Sequence, residues 1–105
     1  MEEAAQERST MPARERVALD HATVKLEIFG PHLPHPHQSD VRGGSGLREL
    51  RLRAGRSTWR ALYRRVGDIF VILAVGREAQ ARPREFERMV MVATQRWGKQ
   101  SNESE

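Results

Sequence analysis

The apolar residues in the first third of the chain recur with the period of an amphipathic helix. Four of them lie three or four positions apart and so share one helix face: Leu19, Ala22, Leu26 and Phe29. Proline is tolerated in the first turn of a helix and a Gly-Pro pair ends one, which places this helix at about 12–29. No such period occurs before it, and we expect residues 1–11 to be a disordered tail.

The middle of the chain alternates apolar and polar residues, which predicts strands with one buried face. Leu50 and Leu52 alternate with charged neighbours, and 58–66 places three apolar residues on one face: Trp59, Ala61 and Tyr63. Segment 69–75 is apolar throughout, as a central strand would be. Segment 30–46 contains three prolines and four glycines, which predicts a loop. The three strands form an antiparallel meander.

A second amphipathic helix begins at Pro83 and has one narrow apolar stripe: Phe86, Met89, Val90, Ala93 and Trp97. Gly98 suits a helix C-terminus, which leaves 99–105 as a second disordered tail. The order of elements predicts an α+β domain over 12–98. It has an N-terminal helix, a three- to four-stranded antiparallel sheet and a C-terminal helix, with both helices on one sheet face.

The chain has a formal charge of +4, and its basic residues are sixteen arginines and two lysines. Arginine binds phosphate through two parallel hydrogen bonds, but a GC-rich genome also uses it wherever a cation is wanted. No cysteine is present, which excludes disulfides and thiolate chemistry. No apolar run approaches the ~20 residues of a membrane span, and the acidic N-terminus is unlike a secretory signal. We therefore expect a cytoplasmic protein without a membrane partner.

Seven arginines fall within residues 46–65, where their positions carry information. If Leu50, Ala61 and Tyr63 face the helices, the alternation places four arginines together on the opposite, exposed face: Arg51, Arg53, Arg60 and Arg64. Like charges packed this closely are unfavourable without an anion. We interpret the face as a phosphate-binding surface for nucleic acid rather than a solvated basic surface.

Four segments in this order resemble the RelE/HigB-type toxins of bacterial type II toxin–antitoxin systems, a branch of the RelE/ParE superfamily. They are ELR at 49–51, RALY at 60–63, the apolar strand at 69–75 and the basic turn GREAQARP at 76–83. The phage-derived toxin-like branch is the most similar, and the resemblance covers about 13–97. It implies a small twisted sheet flanked by helices. It also implies a ribosome-dependent mRNA endonuclease without a cofactor, inhibited by a cognate antitoxin.

The resemblance also implies roles for individual residues. Arg60 matches the arginine that contacts the scissile phosphate, and Arg51 and Arg77 match basic positions on the first strand and after the third. Arginine stabilises the negative charge of the transition state but is too basic to transfer protons. Glu49 or Glu78 is therefore the candidate base. Four further arginines are expected to bind RNA: Arg53, Arg64, Arg82 and Arg84.

The chain departs from this family pattern at two positions and at its start. Glu78 stands where many members have a second basic residue, and the C-terminal tyrosine of some nucleases is missing. Tyr63, the sole tyrosine, is predicted to lie in the core, and no strand precedes the first helix. Two alternatives therefore stay open. One is a non-catalytic member, either a gyrase-directed toxin or a basic nucleic-acid-binding module. The other is an inactive remnant that binds its antitoxin.

Histidines offer a weaker signal. His32, His35 and His37 lie in the proline-rich loop, where the backbone does not hold them in a ligand geometry. We expect a surface loop and no metal there. His21 lies within the first helix and is expected at an interface or half-buried.

Overall fold

The computed structural model describes residues 2–33, 37–41 and 46–103. The elements in chain order are α1 (Glu2–Ser9), α2 (Ala13–Phe29), a 3₁₀ turn (Gly30–His32), β1 (Gln38–Asp40), β2 (Arg48–Arg51), a second 3₁₀ turn (Leu52–Gly55), β3 (Trp59–Val66), β4 (Ile69–Arg77) and α3 (Pro83–Glu103). The predicted α+β class is confirmed, with an N-terminal helical region, a four-stranded antiparallel sheet and a C-terminal helix.

The sheet has the order β1-β2-β3-β4, and every neighbouring pair is antiparallel. Its fourth strand, β1, lies inside the segment predicted to be a loop. Three residues are too few for a pattern of their own, and β1 exists because Gln38 pairs with Leu50 of β2. The remainder of that predicted loop falls partly on 34–36 and 42–45, outside the described residues.

Helices cover both faces of the sheet, so the prediction that both helices lie on one face is wrong. On the first face, α2 packs on side chains that the alternation had placed there: Leu50, Ala61 and Tyr63. On the second face, α3 contributes Met89 and Ala93 to a separate cluster with Leu62 and Leu73. The apolar residues on both faces of β4 require cover on both sides, because a strand apolar throughout is typical of a sheet buried on both faces.

The chain start is a helix rather than the disordered tail that we expected, and its contacts explain why. The Glu7 carboxylate accepts a hydrogen bond from the Val75 N–H at 3.1 Å and pairs with Arg96 at 2.9 Å. Arg96 also donates to the Leu73 carbonyl at 2.7 Å. These side chains form hydrogen bonds with the Val75 N–H and the Leu73 carbonyl at the outer edge of β4, where both backbone groups would otherwise be unpaired. Tertiary contacts thus hold a helix that has no apolar period.

The C-terminal helix continues beyond its predicted end. It passes through Gly98 and reaches Glu103, so glycine here is an ordinary helical residue. Within the described residues, no helix is both long and apolar enough to span a membrane.

Candidate functional site

Arg60 is buried in a network of ion pairs. Its side chain is only 4% exposed, and its Nε donates to Glu49 at 2.7 Å while its Nη2 donates to Glu78 at 2.6 Å. Nη1 donates to the carbonyls of Trp59, at 2.9 Å, and Ser57. All three nitrogens of the guanidinium are therefore engaged within the protein. An incoming phosphate would compete with two carboxylates that are already in place.

Strand register brings this network together. Arg60 of β3 is opposite Arg51 of β2 and opposite Gly76 of β4, so Glu49 and Glu78 approach it from either side. The missing side chain at Gly76 leaves room for α3, since a Cβ there would lie 2.7 Å from the sulfur of Met89. If either glutamate accepted a proton, it would lose its ion pair with Arg60. The predicted roles of Arg60, Glu49 and Glu78 in catalysis stay predictions.

The four arginines expected on one exposed face do not share it, and that prediction is wrong. Arg60 is buried, and Arg53 follows β2 in a 3₁₀ turn with φ 55°, where it lies 3.8 Å from Glu15 of α2. Arg64 points to the same sheet face as Arg60 and Leu62, but there it stacks 4.6 Å above the ring of Trp97 in α3. The two-residue period ends at Arg51 because the chain turns there, and α3 covers the face that was expected to be open.

The basic residues near the end of β4 are also separated. Arg77 stacks 4.4 Å above the ring of Trp59, its cross-strand neighbour, and donates to the Thr58 hydroxyl at 3.0 Å. Since neighbouring residues of a strand point to opposite faces, Arg77 and the Arg60 network lie on different sides of the sheet. Arg82 and Arg84 are exposed at the start of α3. The predicted set of Arg51, Arg60 and Arg77 is not a single cluster.

Tyr63 lies in the core, as predicted, and is 2% exposed. Burial raises the pKa of its phenol above the ordinary value of 10.0, and the nearby Arg48 opposes this increase. Its hydroxyl donates to the Gln38 side chain at 3.3 Å. The side chain is therefore a neutral structural group rather than a proton donor at a surface site.

A cleft of about 300 Å³ lies between α2 and the end of the hairpin arm formed by β1 and β2. We call it the basic cleft, and its charged and titratable lining residues are Arg14, His21, Lys25, His37, Arg51 and Arg53. Its other lining residues are apolar: Val17, Ala18 and Ala22. No carboxylate is among these lining residues. The cleft therefore concentrates cations, as a site for an anionic ligand does.

Sequence reasoning missed most of this cleft. Arg14, His21 and Lys25 are separated by seven and four residues and therefore share a face of α2, which is a readable signal. His37 gave no such signal, because its position depends on β1: its carbonyl accepts the N–H of Arg51 at 2.9 Å. Arg51 was singled out from the sequence, but as one of four arginines on an exposed face and not as part of a cleft beside α2.

The described histidines do not form a metal site. Within 2–33, 37–41 and 46–103, no three histidine, cysteine or acidic residues come together as candidate ligands. His35, one of the three loop histidines, lies outside the described residues.

Two comparisons with known proteins bear on the chain. The family model described as "Gp49: Phage derived protein Gp49-like (DUF891)" matches residues 6–96, which includes every element from α2 to β4 and most of α3. A search of curated proteins finds no match.

Proposed function

Because the chain belongs to the Gp49-like family of phage-derived proteins, which are RelE/ParE-like toxins, we propose that it is the toxin of a type II toxin–antitoxin pair. Its partner is then a cognate antitoxin protein that neutralises it. We propose further that it is of the RelE/HigB kind, an endoribonuclease that acts in the cytoplasm, cuts mRNA on the ribosome and thereby inhibits translation. It needs neither a metal nor a cofactor for this reaction.

The basic cleft is the observation that carries the nuclease proposal. Four permanent cations line it without a carboxylate among them, which suits the phosphate chain of RNA. A toxin fold with such a cleft can hold a strand that the ribosome presents. Positioning of a substrate can by itself supply several kcal/mol toward the reaction.

Arg51 connects the cleft with the buried network and is our choice for stabilising charge on the phosphate. Its Nε lies 3.4 Å from Glu49, and the residue also lines the cleft. Arg60 binds the same Glu49 oxygen at 2.7 Å. We therefore propose that Arg60 is a positioning residue that acts through Glu49 on Arg51, rather than a direct phosphate contact.

One observation favours a second function. The donors of Arg60 are occupied within the protein, which supports a non-catalytic toxin such as one directed at DNA gyrase. That protein would still require a basic surface and an antitoxin. It would stop growth without cutting mRNA.

Expression of the chain from a tightly repressed promoter, followed by mapping of mRNA 5′ ends, tests these functions. Cuts within translated codons that vanish in Arg51→Ala support the nuclease. Arg88→Ala is the matched control, because it removes an exposed arginine of α3 that is not among the residues lining the cleft. Growth arrest with intact mRNA and damaged DNA would contradict the nuclease and support a toxin directed at DNA gyrase. Normal growth would contradict a toxin of either kind.

A further inference from the structure

We propose that the basic cleft is the site of RNA cleavage, where it binds a phosphodiester and where His21 and His37 transfer the protons. This inference rests on the proposed nuclease function and adds the residues that carry out its chemistry. Both histidines line the cleft, His21 from α2 and His37 from the segment just before β1.

The cleft has the charge that a phosphodiester requires. Arg14 and Lys25 have no carboxylate within 4 Å in the part of the chain that the structure describes, so their charges are available to a ligand. Arg53 has only a loose partner, Glu15, at 3.8 Å. Cations held close together in one cleft repel each other, and a bound anion removes that repulsion. Arg60, by contrast, has its positive charge matched by two carboxylates.

The cleft also has the size and the apolar surface for part of a nucleotide. Its volume of about 300 Å³ is at the lower end of the range for small-ligand sites. Val17 lines it and is 53% exposed, which offers an apolar surface to a ribose or a base. A strand can thus be held by its phosphate while most of the nucleotide stays outside, which suits a substrate delivered by the ribosome.

The two imidazoles supply what the buried network lacks. Imidazole is the side chain that proteins use most often as a general acid or a general base. Glu49 and Glu78 are committed to Arg60 at 2.7 and 2.6 Å, and Tyr63 is buried. The histidines are therefore the groups best placed to exchange protons with a substrate.

The reaction needs no further reactant. The neutral imidazole takes the proton of the ribose 2′-hydroxyl as the 2′-oxygen forms a bond to phosphorus. The bond from phosphorus to the 5′-oxygen breaks, and that oxygen takes the proton of the other imidazole. The products are a 2′,3′-cyclic phosphate and a 5′-hydroxyl, and the histidine pair has exchanged its protonation states. Together with Arg51, the cations of Arg14, Lys25 and Arg53 stabilise the added negative charge on the phosphate oxygens.

Binding is tested with a fluorescent single-stranded RNA that carries 2′-O-methyl groups and cannot be cut. Each lost phosphate contact weakens binding to a single strand roughly five-fold at 0.1 M salt, so the double variant Arg14→Ala/Lys25→Ala should bind roughly 25-fold more weakly. The slope of log affinity against log salt should decrease by about 1.4. Arg88→Ala should leave both quantities as they are in the wild type. An unchanged affinity in the double variant overturns the proposed site, and so does an effect of equal size in Arg88→Ala.

Proton transfer is tested with His21→Gln and His37→Gln, which keep a polar side chain of similar size. Each should reduce cleavage of mRNA on ribosomes by about 10²-fold or more, while binding of the uncleavable RNA at pH 8 stays within two-fold of the wild type. Cyclic phosphate ends should disappear with the cuts. Wild-type cleavage in both variants overturns the role of the histidines.

The outcomes separate this inference from the proposed function. If the wild type cuts mRNA and the cleft variants cut equally well, the nuclease stands and the cleft assignment fails. If the wild type does not cut, the nuclease fails and the proton-transfer role fails with it, and the binding assay still decides whether the cleft holds RNA. If the double variant loses its antitoxin and keeps its RNA affinity, the cleft is a protein-docking site and the inference fails.

Discussion

Substitution of Arg60 by methionine tests whether this arginine is structural. The side chain is 4% exposed, and its partners Glu49 and Glu78 are 13% and 25% exposed, so the three groups have little access to water. Removal of the guanidinium leaves two carboxylates facing each other without their shared cation. Loss of one partner from a buried pair typically costs about 3–5 kcal/mol. Since Glu78 is a quarter exposed, we expect a value near the lower end, about 3 kcal/mol.

Urea denaturation measures this loss of stability. Trp59 packs against the first cluster and Trp97 against the second, so intrinsic fluorescence reports on both faces of the sheet. A loss of about 3 kcal/mol lowers the melting temperature of a domain of this size by at least about 12 °C. Arg88→Met, the same change at an exposed position, should alter the free energy of unfolding by less than about 0.5 kcal/mol.

A rescue variant separates charge from shape. In Arg60→Met combined with Glu49→Gln and Glu78→Gln, the two side chains that faced Arg60 carry no charge, so part of the lost stability should return. The return is only partial, because Glu49→Gln also removes the carboxylate that lies 3.4 Å from Arg51. A loss below about 1 kcal/mol in Arg60→Met would refute this reasoning. It would mean that the guanidinium is hydrated in solution and therefore free to bind a phosphate directly, as the sequence alone suggested.

Three further predictions concern the contacts that hold the fold. Glu7→Gln should weaken the attachment of α1 by about 1–2 kcal/mol and accelerate hydrogen exchange at the Val75 amide, which donates to this carboxylate. The raised pKa of Tyr63 means that the folded state resists ionisation more than the unfolded state, so stability should be full below about pH 10 and decline above it. Urea titrations below and above about pH 10 measure this decline in the free energy of unfolding, which should be absent in Tyr63→Phe. Gly76→Ala should cost about 1 kcal/mol, because its Cβ would crowd the Met89 sulfur. Met89→Ala, which removes that sulfur, should relieve part of this cost in a double-mutant cycle.

The sequence predicted the elements whose patterns are local. Leu50, Ala61 and Tyr63 follow a two-residue period, and the structure places them together under α2. Leu62 points to the sheet face that we expected to be exposed, and it is buried there under α3, because β4 is apolar on both sides and requires a second helix layer. The helix α1 could not be predicted, since Glu7 stabilises it through groups about 70 and 90 positions further along the chain.

The candidate site was harder to predict because it depends on register. Glu78 meets Arg60 across 18 positions only because β3 and β4 pair with Arg60 opposite Gly76. His37 reaches the basic cleft only because β1 pairs with β2. Neither strand pairing can be predicted from the composition or from a short sequence motif. A sequence reader can therefore name the charged residues but cannot tell which of them are already neutralised.

This distinction resolves the two interpretations of the arginine-rich composition. At least seven of the sixteen arginines lie within 4 Å of a carboxylate, and Arg60, the one most central to the resemblance, is the most deeply buried of these. The positive charge of an arginine that is paired with a carboxylate stabilises the fold, and it says little about which ligands the protein binds. The sequence pattern did not single out Arg14 and Lys25, yet neither side chain has a carboxylate within 4 Å among the described residues. An anion gains most from cations whose charge is not already compensated, so the chemistry of this protein should be sought at the basic cleft rather than where its arginines are densest.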